Sequence, residues 1–270
     1  MKSSLIDTIF LSEKRINLLL LLLDGPKSSD DIKDMLDVNW GAMIPQIKKL
    51  QEWELIDVED RVYSLSDMGR PIVENVLNLL NILEIYEKNF DYLSTRRLSV
   101  IPPDLLKSMG EMETTSMIET DLTKIFDANE EVIENMKDAK KCISLISFFQ
   151  PQYNELYNTL IKNGCDVTFV FSESVWNKIK SVYVYEKGVP SDGSIFLDWM
   201  NTRIYIVPDG IDILELTLTD EILLLSFFDD ESRFDSRYLL CKGKNSLKWG
   251  KKLYDSLTKD IKRIETNIKD

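Results

Sequence analysis

Residues 27–65 read KSSDDIKDMLDVNWGAMIPQIKKLQEWELIDVEDRVYSL, and this stretch decides the fold of the first part of the chain. Ser28 or Ser29 caps a short helix, SSDDIKDML, whose first turn holds aspartates where the helix dipole favours negative charge. Asp37-Val38-Asn39 breaks it, and a second helical pattern runs over WGAMIPQIKKLQEWELI. Ile56-Asp57-Val58 and Val62-Tyr63-Ser64-Leu65 then flank Glu59-Asp60-Arg61, the pattern of a tight hairpin. Upstream, Leu5 to Leu23 reads as one helix stopped by Asp24-Gly25-Pro26. Helix, short helix, helix, hairpin is the order of a winged helix-turn-helix.

On a helical wheel Ile44, Ile47 and Leu50 share one face, with Trp40 and Met43 beside them. The other face carries Ala42, Pro45, Gln46, Lys49 and Trp53. Glutamine suits base edges and lysine suits phosphates, so this helix is the candidate for recognition of double-stranded DNA. An interior proline costs about 3 kcal/mol, so the helix is expected to begin near Gly41 or Ala42, leaving Pro45 close to its first turn. The expected contact set is Ser28, Asn39, Ala42, Gln46, Lys48, Lys49 and Arg61. Gln46 and Lys49 meet bases or phosphates, Ser28 and Lys48 hold the backbone, and Arg61 acts from the wing. Charge points the other way. Residues 1–66 hold 8 Lys+Arg against 12 Asp+Glu, and DNA binders draw much of their affinity from a basic face. A winged helix that binds protein stays open as the alternative.

Downstream, residues 67–93 read as a long connecting helix. Val73, Val76, Leu80 and Leu83 mark one stripe, and Ile72, Leu79, Tyr86 and Leu93 mark another beside it. Such a stripe either packs on its own chain or forms a dimer seam. Residues 94–270 alternate strands and helices: KKCISLISFF, a helix, CDVTFVF, a helix, then RIYIVP, DILELTLT and EILLLSFFDD, and a closing helix from NSLKWG. The fold class expected is α/β, a helix-rich winged helix-turn-helix at residues 1–66 followed by an α/β domain with a mixed sheet. Its strand-helix-strand order is also found in phospholipase-D-like domains.

The 270 residues include no histidine, and this removes Ser-His-Asp triads, Cys-His dyads, His-ligated zinc and histidine nucleophiles. No glycine-rich phosphate loop occurs. Asp229-Asp230-Glu231 is a weak magnesium candidate, and Glu130-Glu131 suits the first turn of a helix. No catalytic residue, cofactor or metal is therefore expected. Cys142, Cys165 and Cys241 form no C-x-x-C, and a sparse odd set suggests reduced thiols and a cytoplasmic protein. Cys142 and Cys165 fall on neighbouring strands, so a redox pair is one option. The leucine run 18–23 is too short to cross a membrane, and no membrane partner is expected. Aromatic residues of the α/β zone (Phe148, Phe149, Tyr153, Tyr157, Trp176, Trp199, Phe227, Phe228) supply core or a pocket for a small-molecule effector. Ser147, Gln150, Ser172 and Glu173 lie at strand ends, where such sheets present ligand contacts. From Arg237 onward 10 Lys+Arg face 4 Asp+Glu, a basic segment that docks on the acidic remainder or helps hold DNA.

The stretch KSSDDIKDMLDVNWGAMIPQIKKLQEWELI, with YEKNFDYL, SFFQPQYNELYNTLIKNGCDVTFVFSESVWNKI and LKWGKKLYDSLTK, resembles an archaeal, methanogen-type family of winged-helix transcriptional regulators with a methanogenesis-regulator middle domain. The resemblance covers nearly the whole chain. It implies a transcription factor, expected to work as a homodimer, whose C-terminal domain senses an effector or mediates assembly, and it brings no catalytic residues. This chain departs from the family at FFQPQY and FDSRYLL, where relatives often carry histidine, so a histidine-dependent ligand contact is not open to it.

Overall fold

The computed structural model describes residues 4–119, 129–148, 154–181 and 202–259. The chain divides into two compact units, Met1–Asn81 and Ile82–Asp270.

The first unit runs α1 (Leu5–Phe10), α2 (Glu13–Leu21), a short 3-10 turn (Leu22–Asp24), β1 (Lys27–Ser28), α3 (Ser29–Leu36), α4 (Trp40–Glu52), β2 (Ile56–Glu59) and β3 (Val62–Leu65), and then enters α5 (Gly69–Lys88). Leu18, Leu19 and Leu22 of the leucine run meet Ile32 of α3, Met43, Ile47 and Leu50 of α4 and Val73 of α5 in its core. The single helix expected over Leu5–Leu23 is in fact two. Ser12 is extended, and the buried Arg15 reaches back to the carbonyls of Thr8 and Asp7, satisfying the end of α1 with a cation. The two-residue strand β1 joins the hairpin as a third strand, pairing Lys27 with Tyr63. Strand β3 has the bounds read from sequence, and β2 takes in Glu59, so the loop shrinks to Asp60-Arg61.

Two expectations for α4 need correction. It begins at Trp40, so Pro45 is its sixth residue, in the second turn rather than the first, and has no N–H for the Gly41 carbonyl. Ile44, placed on the apolar face by the wheel, is 40% exposed, and the buried stripe is Met43, Ile47 and Leu50. The long helix also ends sooner than residue 93: α5 stops at Lys88, Asn89 breaks it, and α6 (Phe90–Leu93) follows.

The second unit is a seven-stranded mixed sheet with helices on both faces. After α7 (Pro103–Lys107) come β4 (Thr114–Ile118), α8 (Glu130–Met136), β5 (Lys141–Ile146), α9 (Asn154–Lys162), β6 (Asp166–Ser172), α10 (Glu173–Lys180), β7 (Arg203–Val207), β8 (Ile213–Thr219), β9 (Ile222–Phe227), β10 (Tyr238–Lys242) and α11 (Lys244–Leu257). The strand order is β4-β10-β9-β8-β5-β6-β7. Strands β5, β6 and β7 are parallel and every other pairing is antiparallel. Residues of α8, α9 and α10 cover one face, where Phe169, Phe171 and Trp176 stack. Residues of α6, α7 and α11 cover the other, where Trp249 Nε1 donates to the Leu105 carbonyl at 2.8 Å. The mixed α/β sheet expected from sequence is present; a phospholipase-D-like topology is not supported. Among the described residues no helix is long and apolar enough to cross a membrane.

Candidate nucleic-acid interface

The wheel's apolar stripe turns Met43, Ile47 and Leu50 inward, which leaves Ala42, Pro45, Lys48 and Lys49 on the exposed side of α4. Asn39 is exposed at its N-cap, without a side-chain capping bond. Arg61 is exposed at the wing tip. Among the described residues none of Lys48, Lys49 and Arg61 is held in a salt bridge. The seven expected contact residues thus all belong to the first unit, but two of them carry structural bonds.

Ser28 is the first. Its hydroxyl accepts from the Asp31 backbone N–H at 3.1 Å and donates to Asp31 Oδ2 at 2.7 Å, while its own N–H donates to Oδ2 at 2.9 Å. This reciprocal capping box holds the Asp31 carboxyl below its ordinary value, first through the Ser28 hydroxyl and then through the Ser28 N–H. Gln46 is the second. It is half-buried, and its Oε1 accepts from Arg15 Nη1 at 2.7 Å. Bidentate adenine reading needs both the oxygen and the nitrogen of the amide, so only the amide N–H2 of Gln46 remains to meet a base. Arg15, an arginine inside an apolar helical pattern, was the signal for this bond, but its partner lies 31 residues away.

The wing tip stores strain. Asp60 and Arg61 have φ of 46° and 64°, a pair of left-handed residues that a two-residue hairpin of type I′ requires. Aspartate tolerates this conformation readily, and arginine adopts it at a cost. Arg61→Gly is expected to stabilise the first unit by about 0.5–1 kcal/mol in urea denaturation, after the added freedom of glycine in the unfolded chain is subtracted.

The remaining candidates are placed as follows. Asp229 organises a turn, accepting from the N–H groups of Glu231 (3.0 Å) and Arg233 (2.7 Å) and pairing with the Arg233 side chain, which holds its carboxyl below the ordinary value. Glu130 and Glu131 lie in the first turn of α8, capped by Asn129. Cys142 and Cys165 are free and buried. Burial raises both thiols, Cys165 to about 11, which disfavours the thiolate that redox chemistry needs. Ser172 Oγ caps α10 through the Val175 N–H, and Asp209 binds Ser174 beside it. Tyr157 is buried in a chain of hydroxyls with Ser144 and Thr217, Phe227 and Trp176 are core, and Phe148 stacks on Phe234. Phe149, Gln150, Tyr153 and Trp199 lie outside the described residues. Lys242, Lys244, Lys248, Lys251 and Lys252 are exposed, and Lys251 pairs with Asp255 inside α11, while Arg237 at the start of this basic segment pairs with Asp235.

A helix pair, a recognition-type helix and a three-stranded wing define the first unit as a winged helix-turn-helix, and it precedes a mixed α/β unit. The chain belongs to the family of the methanogenesis regulatory protein FilR1, middle domain, whose family model matches residues 125–260. The methanogenesis regulatory protein FilR1 of Methanothrix harundinacea (strain 6Ac) is 19% identical over 253 residues, covering 90% of this chain and 54% of that protein. The chain therefore spans about half the length of this curated relative. Among solved structures, TrmBL2, an archaeal chromatin protein, aligns over 91% of each chain at 10% identity and a TM-score of 0.40. HlyU from Vibrio cholerae N16961 aligns over 28% of this chain and 86% of its own at 22% identity and a TM-score of 0.25. Both structural likenesses are slight, and the family assignment rests on the sequence match.

Proposed function

We propose that the chain is a DNA-binding transcriptional regulator that acts as a homodimer. Residues 1–66 are the DNA-binding head, α5 the connecting and pairing helix, and the α/β unit that follows it an effector-sensing unit. The observation that carries this reading is the exposed face of α4, where Ala42, Lys48 and Lys49 stand clear of the core with Arg61 at the wing tip. The regulatory character of the FilR1 relative supports it.

Pairing is supported by apolar surface on the first unit. Ile6 is 70% and Leu79 44% exposed, and both line a groove of about 520 Å³ between α1 and α5, with Phe10, Ile72, Val76 and Pro71 as further walls. On α5, Val73 and Val76 pack within the chain, while Leu79 and Leu83 remain exposed and open to a partner. Two heads are needed because one α4, in an acidic unit, offers too few cations for tight binding alone.

The second reading, a head that binds protein, is favoured by the 12 acidic against 8 basic residues of positions 1–66. Titration of the purified chain with promoter and random DNA across a salt series separates the two. Lys49→Glu is expected to weaken binding by about tenfold or more and to flatten the salt dependence, and Leu79→Glu to yield a monomer that binds weakly. Salt-insensitive binding that Lys49→Glu leaves unchanged sinks the DNA-binding reading.

A further inference from the structure

Two guanidinium groups of the α/β unit share one carboxylate. Arg96, just after α6, has a side chain that is 2% exposed. Its Nη2 pairs with Asp235, whereas its Nε and Nη1 are buried and make no hydrogen bond among the described residues. Arg237 grips the same carboxylate, with Nε 3.0 Å from Oδ1 and Nη2 2.7 Å from Oδ2. One carboxylate thus serves two cations, and native proteins seldom leave buried donors unmet. Both guanidinium groups rest against Tyr92, with their centres 4.3 and 5.1 Å from the ring centroid. The ring is fixed because the Tyr92 hydroxyl accepts from the Phe227 N–H at 2.9 Å.

Arg237 and Tyr92 also wall a cavity of about 260 Å³. That is smaller than the pockets of drug-sized ligands, so a guest must be small. Glu87, Asp91 and Glu119 stand around it and disfavour a guest with several negative charges.

We propose that this cavity is an effector site for a small molecule bearing one oxyanion group, a carboxylate or a phosphate. The oxyanion takes over Arg237 in the fork geometry that planar guanidinium groups favour. Asp235 is then released to pair with Arg96 alone. The exchange links the guest to the segment between β9 and β10 and to the segment after α6, and it gives the sensing unit of the proposed regulator its input.

The inference rests on that regulatory reading, but its test is read on the protein alone, so failure to bind DNA leaves its outcome untouched. The full chain is titrated calorimetrically with lactate, glycerol phosphate and inorganic phosphate, with chloride as the control, and its thermal midpoint is followed in parallel. At least one oxyanion is expected to bind and raise the midpoint, and the arm that binds separates carboxylate from phosphate. Arg237→Gln is expected to weaken binding by about tenfold or more. Glu119→Gln, an exposed substitution on the cavity wall that does not threaten folding, is expected to tighten it a few-fold. The proposal is overturned if no oxyanion binds the wild-type chain, or if binding is the same in wild type, Arg237→Gln and Glu119→Gln.

Discussion

Replacing Asp235 by asparagine is expected to lower the stability of the α/β unit by about 3–5 kcal/mol, the usual cost of stranding a buried charge without its partner. The substitution keeps the shape and one acceptor oxygen but removes the negative charge shared by Arg96 and Arg237. Arg96 bears most of the loss, because its side chain is 2% exposed and has no other ion pair among the described residues. Arg237, at 28%, can turn to water. Urea denaturation, with hydrogen exchange read in β9 and β10, measures the effect. Adding Arg96→Met to Asp235→Asn should recover most of the loss, since an apolar side chain of similar reach carries no charge to strand. If the single and double variants are equally unstable, the cost lies in the turn around Asp235 and not in the charge.

The same carboxylate sets a pH dependence. Burial raises the Asp235 pKa, but hydrogen bonds from the Arg237 side chain and N–H, with the charges of Arg96 and Arg237, more than offset it and leave it below the ordinary 3.8. A carboxyl more acidic in the folded than in the unfolded chain contributes stability above its unfolded pKa and loses it as the pH falls through the folded value. The gap between wild type and Asp235→Asn should therefore be full at neutral pH and close below about pH 4.

How far the sequence could be read depended on whether the deciding contacts were local. Helix α4 and the wing were legible because their signals sit within a few residues: Met43, Ile47 and Leu50 at helical spacing, and an aspartate at the first turn position of the hairpin. The exposure of Lys48 and Lys49 followed from the same spacing. The break at Ser12 was read through, although Ser12-Glu13-Lys14-Arg15 interrupts the apolar run there, because a charged turn is equally at home on the exposed side of one continuous helix. What permits the break is Arg15 reaching the carbonyls of Thr8 and Asp7, which periodicity cannot register. Ile44 was misplaced because the wheel ranks a side chain by its own polarity and not by what lies opposite. The strand β4 was missed because TTSMI is short and mostly polar, and it becomes a strand by pairing with β10, more than a hundred residues later. The candidate sites followed the same division. The α4 face was found from its pattern, whereas the Gln46–Arg15 bond and the Arg96–Asp235 pair join residues 31 and 139 positions apart.

Gly69→Ala is the other substitution with a large expected effect, about 3 kcal/mol or more against the first unit, because the added methyl meets backbone and not a yielding side chain. A β-carbon at Gly69 would lie 2.0 Å from the Leu55 carbonyl oxygen and 2.8 Å from its carbon. Leu55 cannot withdraw: it is fully buried, its N–H donates to the Leu50 carbonyl at 3.1 Å, and its own carbonyl accepts from the Ser66 N–H at 3.1 Å. Ser66 ties the same junction from the other side, donating its hydroxyl to the Glu54 carbonyl at 2.6 Å and accepting from the Gly69 N–H at 2.8 Å. The end of α4, the exit of the wing and the start of α5 are thus bonded through one close approach that only glycine permits. Moving α5 to admit a methyl would pull Val73 and Val76 from the core they share with Leu50 and Leu55. Arg70→Ala, one residue on but exposed, should change stability by less than about 0.5 kcal/mol. Comparing the two in urea, with α3, α4 and the wing followed by hydrogen exchange, separates the backbone contact from any general weakness of the helix start. If Gly69→Ala costs no more than Arg70→Ala, Leu55 is free to move and the junction does not fix the angle at which α5 leaves the wing.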